Sequence, residues 1–158
     1  MIVKDIIDED FANYKVPSMF IITSKCDFKC CIEAGNNICQ NMDVVKQPNI
    51  EIDNDILVER YLANSITKAI VIAGLEPFDT FDDLLEFIRC VRLIHDCHDD
   101  IVIYTGYYPE EIKKELDFIS YDNIIVKFGR FIPDQKEHFD EVLGVNLASN
   151  NQYAERIS

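Results

Sequence analysis

The fold of this chain is decided by one stretch, Ala69-Ile-Val-Ile-Ala-Gly-Leu-Glu-Pro77. Its first five residues are continuously apolar and rich in β-branched side chains, which predicts a strand that is buried on both faces. Such strands are typical of a parallel sheet that helices cover. The glycine that follows permits backbone conformations that other residues avoid. We therefore predict a buried parallel strand over 69–73 that ends in a special turn.

The same pattern recurs along the chain, in residues 19–23, 101–105 and 124–128. Helical patterns separate these runs. One apolar stripe follows the caps Asp53 and Asn54, another begins at Asp79 or Thr80, and a third has Pro109 at its first position. The alternation of strands and helices predicts an α/β fold with right-handed crossovers.

Three of the five glycines stand just beyond a predicted strand, namely Gly74, Gly106 and Gly129. Each taken singly is explained by a tight turn. A cysteine-rich loop, however, also follows the first of these strands, and ligands bind at the carboxyl ends of strands in parallel α/β proteins. We therefore predict one site there, formed by residues 24–41, 74–79, 104–108 and 128–131.

Composition excludes some function classes. The chain has 158 residues, which predicts a single domain over 1–158 with an N-terminal extension at 1–16. It carries 15 Lys and Arg against 29 Asp and Glu, a net charge of −14, which argues against binding to nucleic acid or to an anionic membrane. There is no apolar run near the ~18 residues of a membrane span and no signal-peptide pattern, so we expect a cytoplasmic protein.

Four of the six cysteines fall within 14 residues, at positions 26, 30, 31 and 39. In a reducing compartment such a group favours metal binding or catalysis over disulfides. The alternative, that they are small buried hydrophobic residues, suits this charged loop poorly. A structural zinc site usually shows paired Cys-x-x-Cys motifs, whereas the gap of three residues between the first two cysteines favours an iron–sulfur cluster.

The segment Cys26-Asp-Phe-Lys-Cys30 resembles the start of the radical S-adenosylmethionine (radical SAM) motif, Cys-x-x-x-Cys-x-x-Cys. Glu33 occupies the usual third position. Cys39-Gln40-Asn41, however, resembles the Cys-His-Asn ending of the motif in the activating enzymes of anaerobic ribonucleotide reductase, displaced by an insertion. The resemblance implies that Cys26, Cys30 and Cys39 hold a cluster within a binding loop over 24–41, with Cys31 as the alternative third ligand.

Later stretches extend the resemblance over residues 17–157. Gly74-Leu75-Glu76-Pro77 resembles the family's Gly-Gly-Glu-Pro motif, which meets the amino group of SAM, although Leu75 replaces a glycine. The stretches 104–107, 127–131 and 148–152 resemble later segments of the reductase activases. The implied cofactor-binding residues are Gly74, Leu75, Glu76 and Thr105.

The resemblance implies a truncated parallel β/α barrel of the radical SAM type with two cofactors, a 4Fe–4S cluster and SAM. In such enzymes reductive cleavage of SAM produces a 5′-deoxyadenosyl radical. The implied partners are the large glycyl-radical subunit of an anaerobic ribonucleotide reductase and an electron donor such as flavodoxin or ferredoxin. Two alternatives stay open: a small radical SAM protein with another substrate, and a non-catalytic zinc or iron–sulfur module.

The remaining clusters of polar residues and cysteines are assigned no catalytic or cofactor-binding role. The segment 95–100, which contains two histidines, is interpreted as a helix end and a solvated turn. Cys90 and Cys97 are interpreted as core or boundary residues. The acidic groups at 8–10 and 82–83 are interpreted as solvated faces. Arg130 is expected either to meet a carboxylate or a partner, or to be an ordinary surface arginine.

Overall fold

The computed structural model of the chain describes residues 1–158, and its elements are short. The strands are β1 (Ile2–Asp10), β2 (Ser18–Thr23), β3 (Ile50–Glu51), β4 (Ala69–Ala73), β5 (Asp100–Tyr104), β6 (Ile124–Phe128), β7 (His138–Asp140), β8 (Val145–Leu147) and β9 (Tyr153–Arg156). The helices are α1 (Lys29–Ala34), α2 (Met42–Val45), α3 (Asn54–Ala63), α4 (Phe81–Arg89) and α5 (Lys113–Phe118). None of these helices combines the length and the apolar character that a bilayer crossing requires.

Seven strands form one open sheet in the order β3-β1-β2-β4-β5-β6-β9. The four strands predicted from sequence lie in its middle and pair in parallel, β2 with β4, β4 with β5, and β5 with β6. The outer pairings are antiparallel: β1 pairs with β2 and with β3, and β9 pairs with β6. The short β7 and β8 form a separate antiparallel ribbon.

The expected truncated parallel β/α barrel is therefore wrong, because the chain forms an open mixed sheet with five short helices. A parallel barrel grows by adding further β/α units at each edge. Here antiparallel strands occupy both flanks of the parallel block instead. The segment 1–16, expected as an extension, supplies β1, and the tail after Gly144 supplies β8 and β9.

The two faces of the sheet are covered differently. One face carries the side chains of Ile70, Ile72, Ile101 and Ile103, which pack against buried residues of α3 and α4. The opposite face carries mainly alanine and valine, with the larger Phe20 and Tyr104, and it is covered by residues outside the helices, among them Tyr14, Leu143 and Leu147. This helix-free face leaves room for a cavity.

Two of the three helix starts agree with the sequence; the third does not, because Pro109 begins a 3₁₀ turn over Pro109–Glu111 and α5 starts only at Lys113. The Asp53 side chain caps α3 by accepting a hydrogen bond of 2.8 Å from the Asp55 amide. A 3₁₀ turn over Pro77–Thr80 leads into α4. After Arg89 the helix continues as a π-helical turn over Cys90–Ile94, a form that the apolar pattern does not indicate.

Candidate metal centre

A cavity of about 370 Å³ lies at the carboxyl ends of the four parallel strands. Phe20 and Tyr104, which pack on the helix-free face, belong to its lining. The volume falls in the ~300–1,000 Å³ range of small-molecule sites, and the position is the one at which open α/β sheets bind ligands. Each of the four predicted site segments contributes to this lining.

Three cysteines of the loop line the cavity: Cys26, Cys30 and Cys39. Cys31 is not part of the lining. Its Sγ atom lies 3.7 Å from Oδ1 of Asn37 and 4.0 Å from Sγ of Cys30. All four cysteines are reduced and partly buried.

The first half of the loop is fixed by contacts to the ends of β4 and β5. The Asp27 amide donates to the Asp79 carboxylate over 2.6 Å, and the Tyr107 hydroxyl lies 2.7 Å from Asp79 and 2.9 Å from Asp27. Phe28 has a left-handed backbone, with φ of 58°, and its amide donates to Sγ of Cys26 over 3.3 Å. This turn directs the chain into α1, which carries Cys30.

The second half of the loop is fixed by Asn41 and Gly74. The Asn41 amide donates to Sγ of Cys39 over 3.4 Å, and its side-chain amide donates to the Gly74 carbonyl. Gly74 has φ of +95°, and a Cβ atom there would lie 2.3 Å from Cγ2 of Ile22. Only glycine fits this position, because any side chain would collide with β2.

Ionisation of the thiols in the cavity to thiolates is unfavourable when no cation is bound. Burial, with smaller contributions from the charges of Glu76 and Asp79, raises the pKa of Cys26 to about 12. Burial and the neighbouring Cys31 raise the pKa of Cys30 to about 11. A bound metal reverses this balance because it stabilises thiolates directly. Three soft donors converging on one cavity therefore fit an iron–sulfur cluster.

Glu76 is almost fully buried, with 5% of its surface exposed. Its carboxylate accepts hydrogen bonds from the Thr105 hydroxyl at 2.7 Å, the Gly106 amide at 2.8 Å and the Phe78 amide at 3.1 Å. Burial nevertheless raises its pKa to about 7. Glu76 thus ties the ends of β4 and β5 together, and a carboxylate has capacity for one further donor.

Lys127 also lines the cavity, although sequence reasoning gave it no role. It is buried, it donates to the Gly129 carbonyl over 2.7 Å, and burial lowers its pKa to about 8. An amine in this position can meet an anionic group of a ligand. The signal in the sequence is a lysine inside the apolar run 124–128, since lysine is rarely buried without a reason.

Arg130 is not a surface arginine, because only 4% of its surface is exposed. Its guanidinium forms a bidentate ion pair with Glu111 and lies 3.2 Å from a carboxylate oxygen of Glu33 in α1. The pair holds the pKa of Glu111 at about 2. Arg130 therefore meets carboxylates of its own chain and anchors the helix that carries Cys30.

The predicted cofactor residues have different surroundings. Gly74, Leu75, Glu76 and Thr105 all line the cavity. The Thr105 hydroxyl, however, is occupied, since it donates to Glu76 and accepts from the Tyr107 amide at 3.0 Å. The closing segment 148–152 contributes Gln152, which donates to the Gly129 carbonyl over 3.3 Å and lines the same cavity. The binding roles themselves stay predictions.

The fold and the thiol-lined cavity define a metal-binding α/β protein, and comparison with known families makes the class specific. The model of the family described as "4Fe-4S single cluster domain" matches residues 17–153. The chain therefore belongs to this iron–sulfur family. No curated protein and no solved structure matches it.

Proposed function

We propose that this chain is a radical SAM enzyme that generates a glycyl radical on an anaerobic ribonucleotide reductase. In this proposal Cys26, Cys30 and Cys39 hold the 4Fe–4S cluster, and SAM binds in the adjoining cavity. The observation that carries the proposal is that three thiols of the loop, and not the fourth, line a cavity large enough for a small-molecule cofactor.

The number of ligands matters for the chemistry. A cluster of purely structural or electron-transfer function is held by four cysteines. With three thiolates, one iron keeps a position free for a substrate, as catalytic metal sites do. When bound, such a cluster supplies the single electron that cleaves the sulfonium C–S bond of SAM, releasing methionine and a 5′-deoxyadenosyl radical.

The other residues of the cavity then bind and orient SAM. The backbone of Gly74 and Leu75, together with the remaining acceptor capacity of Glu76, offers hydrogen-bond acceptors for the amino group. Lys127 offers a cation for the carboxylate, and burial strengthens such a pair. Phe20 and Tyr104 supply apolar wall that keeps water from the reacting bond.

The reductase as substrate is supported by the resemblance of residues 39–41 and 104–107 to the reductase activases. The net charge of −14 predicts that the docking surface on the partner is basic or that the contact avoids the acidic helices. A flavodoxin or ferredoxin would supply the electron in the cell.

The test is anaerobic reconstitution of the full chain with iron and sulfide, followed by reduction in the presence of SAM. We expect a brown protein with one 4Fe–4S cluster that releases 5′-deoxyadenosine and methionine in equal amounts. A colourless protein that binds zinc in the cysteine loop would refute the proposal. A brown protein that releases no 5′-deoxyadenosine would also refute it.

The partner is tested by adding the large subunit of an anaerobic ribonucleotide reductase to the reduced mixture. We expect the electron paramagnetic resonance signal of a glycyl radical. The matched control is the same subunit with its radical-bearing glycine replaced by alanine, which must give no such signal. Release of 5′-deoxyadenosine without a glycyl radical would assign the enzyme to another substrate.

A further inference from the structure

The end of α4 departs from regular helix at a position far in sequence from the cysteine loop. After Arg89 the backbone widens into a π-helical turn, Cys90–Ile94, in which the His95 amide donates to the Cys90 carbonyl over 3.1 Å. π-Helical turns are rare, and they occur frequently at functional sites. The turn changes which side chains the end of α4 presents to its neighbours.

The π-helical turn brings Cys90 and His95 onto the same side of the helix. In an α-helix, residues five apart differ by about 140° around the axis. In a π-helical turn, which closes at the fifth residue, they differ by roughly 50°. The thiol of Cys90 and the imidazole of His95 can thus both face α3. Regular helix would direct them to different neighbours.

Asp55, in the first turn of α3, meets both side chains. Its Oδ1 atom lies 3.3 Å from Sγ of Cys90 and 3.0 Å from Nε2 of His95. The three potential ligand atoms all lie within 4.8 Å of one another. Cys90 is 4% exposed, and the His95 side chain is 15% exposed, whereas Asp55 faces solvent. One side of the cluster is therefore open to an entering ion.

These separations are close to those of ligands around a tetrahedral zinc ion. Zinc lies about 2.3 Å from sulfur and about 2.0–2.2 Å from imidazole nitrogen and carboxylate oxygen. Tetrahedral angles then place pairs of ligand atoms about 3.2–3.6 Å apart. Small rotations of the Asp55 and His95 side chains would open the observed cluster to that spacing.

The surroundings favour a cation. A cavity of about 590 Å³ adjoins the cluster, and Asp55 and Cys90 belong to its lining. The charged side chains of the lining are four carboxylates and one arginine: Glu51, Asp53, Asp55, Glu86 and Arg89. Arg89 is paired with Glu86 at 2.6 Å, and the Met1 ammonium, which donates to the Ile52 carbonyl over 2.8 Å, offsets one further carboxylate, so the lining keeps a net negative charge. Uncompensated negative charge raises the local concentration of cations.

We propose that Asp55, Cys90 and His95 bind one Zn²⁺ ion, with water in the fourth position, and that the ion joins the start of α3 to the end of α4. Cys90 gives up its thiol proton to solvent on binding, and His95 binds through Nε2. Thiolate, imidazole and carboxylate are all ligands that zinc accepts, and catalytic zinc sites combine three protein ligands with a water. Magnesium and calcium prefer oxygen ligands alone, and iron–sulfur clusters require more sulfur.

The proposal does not depend on the function of the cysteine loop, because the two sites share no residue. The competing explanation is a hydrogen-bonded cluster in which Asp55 accepts from Cys90 and His95 and binds no ion. The experiment must therefore distinguish a bound metal from a packed helix end, and it must exclude zinc held by the loop.

The test uses the full chain with its cluster already loaded, so that iron occupies the loop cysteines. The protein is exposed to a small excess of Zn²⁺ and passed over a desalting column, and iron and zinc are counted per chain. We expect one zinc per chain in addition to the iron. X-ray absorption at the zinc edge should give one sulfur ligand near 2.3 Å, the other ligands being nitrogen or oxygen.

The variants Asp55→Asn and His95→Gln should each reduce the retained zinc at least tenfold while iron content stays unchanged. The matched controls are His98→Gln and Cys97→Ala, which lie at the same helix end but outside the cluster; they should retain zinc. Asp55 is exposed on another element, so Asp55→Asn reports on the site even if His95→Gln folds poorly. Failure of the wild-type chain to retain zinc, retention by Asp55→Asn, or a zinc site with several sulfur ligands would each overturn the proposal.

Discussion

The cysteine loop and the end of α4 both place cysteine thiols beside other potential metal ligands, but the two regions differ in structure. The loop collects several thiols from irregular chain, which the carboxyl ends of the parallel strands position beside a cavity. The end of α4 uses a π-helical turn to place one thiol beside an imidazole, next to a carboxylate from the first turn of α3. A group rich in thiols suits a cluster of several irons, whereas a mixed set suits a single ion. The composition of the whole donor set, more than the presence of cysteine, therefore indicates which metal a site binds.

The two regions also differ in charge balance. Near the loop, anions and cations are paired: Glu111 is bound by Arg130, and Lys29 lies 3.5 Å from Glu111. Beside the end of α4, carboxylates are in excess. A cluster with thiolate ligands carries its own negative charge and needs balanced surroundings, whereas a bare divalent ion is attracted by an excess of acid.

The largest effect is expected from substitutions of the loop cysteines. Cys39→Ala should abolish cluster assembly, because it removes one of the three thiols that line the cavity. Cys31→Ala is the matched control and should retain the iron and sulfide of the wild-type chain. Iron and sulfide content after anaerobic reconstitution measures the effect. The reverse outcome, loss with Cys31→Ala and retention with Cys39→Ala, would move the third ligand to Cys31.

Glu76 should make the stability of the metal-free chain depend on pH. Its pKa is raised from 4.5 to about 7 in the folded chain. Between about pH 4.5 and 7 the folded chain holds a proton that the unfolded chain has lost, so the free energy of unfolding falls as pH rises. This contribution is on the order of 3 kcal/mol and is fully lost above about pH 7.

Urea denaturation at several pH values under reducing conditions measures this effect. Glu76→Gln should remove the downward slope between pH 5 and 7, whatever its effect on absolute stability. The same slope in the variant would show that another group is responsible. Asp55, beside the end of α4, contributes in the opposite direction: the hydrogen bond from His95 lowers the pKa of Asp55, so its contribution to the free energy of unfolding grows as pH rises.

Arg130→Met tests how the loop is anchored. The substitution removes a buried cation and leaves the Glu111 carboxylate with only the more distant, partly exposed Lys29, at 3.5 Å, as a cationic partner. We expect a loss of about 2 kcal/mol in the free energy of unfolding, below the ~3–5 kcal/mol of fully buried pairs because Glu111 is partly solvated. The matched control is Arg156→Met, whose exposed pair with Asp100 should contribute about 0–1 kcal/mol. Equal losses in urea denaturation would argue against the anchoring role.

The smallest effect is expected from zinc removal at the end of α4. A chelator that leaves the cluster intact should lower the unfolding temperature of the zinc-loaded chain by a few degrees, since ~1 kcal/mol corresponds to about 2–4 °C for a chain of this size. The His95→Gln variant should not respond to the chelator. Scanning calorimetry measures both chains. Equal responses would place the stabilising zinc elsewhere.

The middle of the sheet could be predicted from sequence because its signals are local. Each of the four parallel strands is a short apolar run, and Asp53 and Thr80 occupy the N-cap positions at two helix starts. The edges could not be predicted in this way. In β1 four acidic residues and a lysine interrupt the apolar pattern, so the segment was interpreted as an extension.

The residues of the candidate site could be predicted from sequence where a single loop supplies them. They could not be predicted where segments distant in sequence come together. The cysteine spacing pointed to the loop, and the glycines pointed to the strand ends. The burial of Arg130 depends on Glu111, which lies on a different element, and nothing in the arginine's own neighbourhood signals this pair. Asp55 and His95 are likewise 40 positions apart, so their contact follows from packing and not from a motif.

The outer edge of β1 bears on self-association. The two-residue β3 pairs only with Ile2 and Val3, so most of β1 has no strand on its outer side. Unpaired edges can template the addition of a strand from a second molecule. This edge carries four carboxylates, from Asp5, Asp8, Glu9 and Asp10. Asp8 is paired with Arg60, but a second copy that added here would bring the other carboxylates of the two chains together, and their repulsion opposes self-association through this edge.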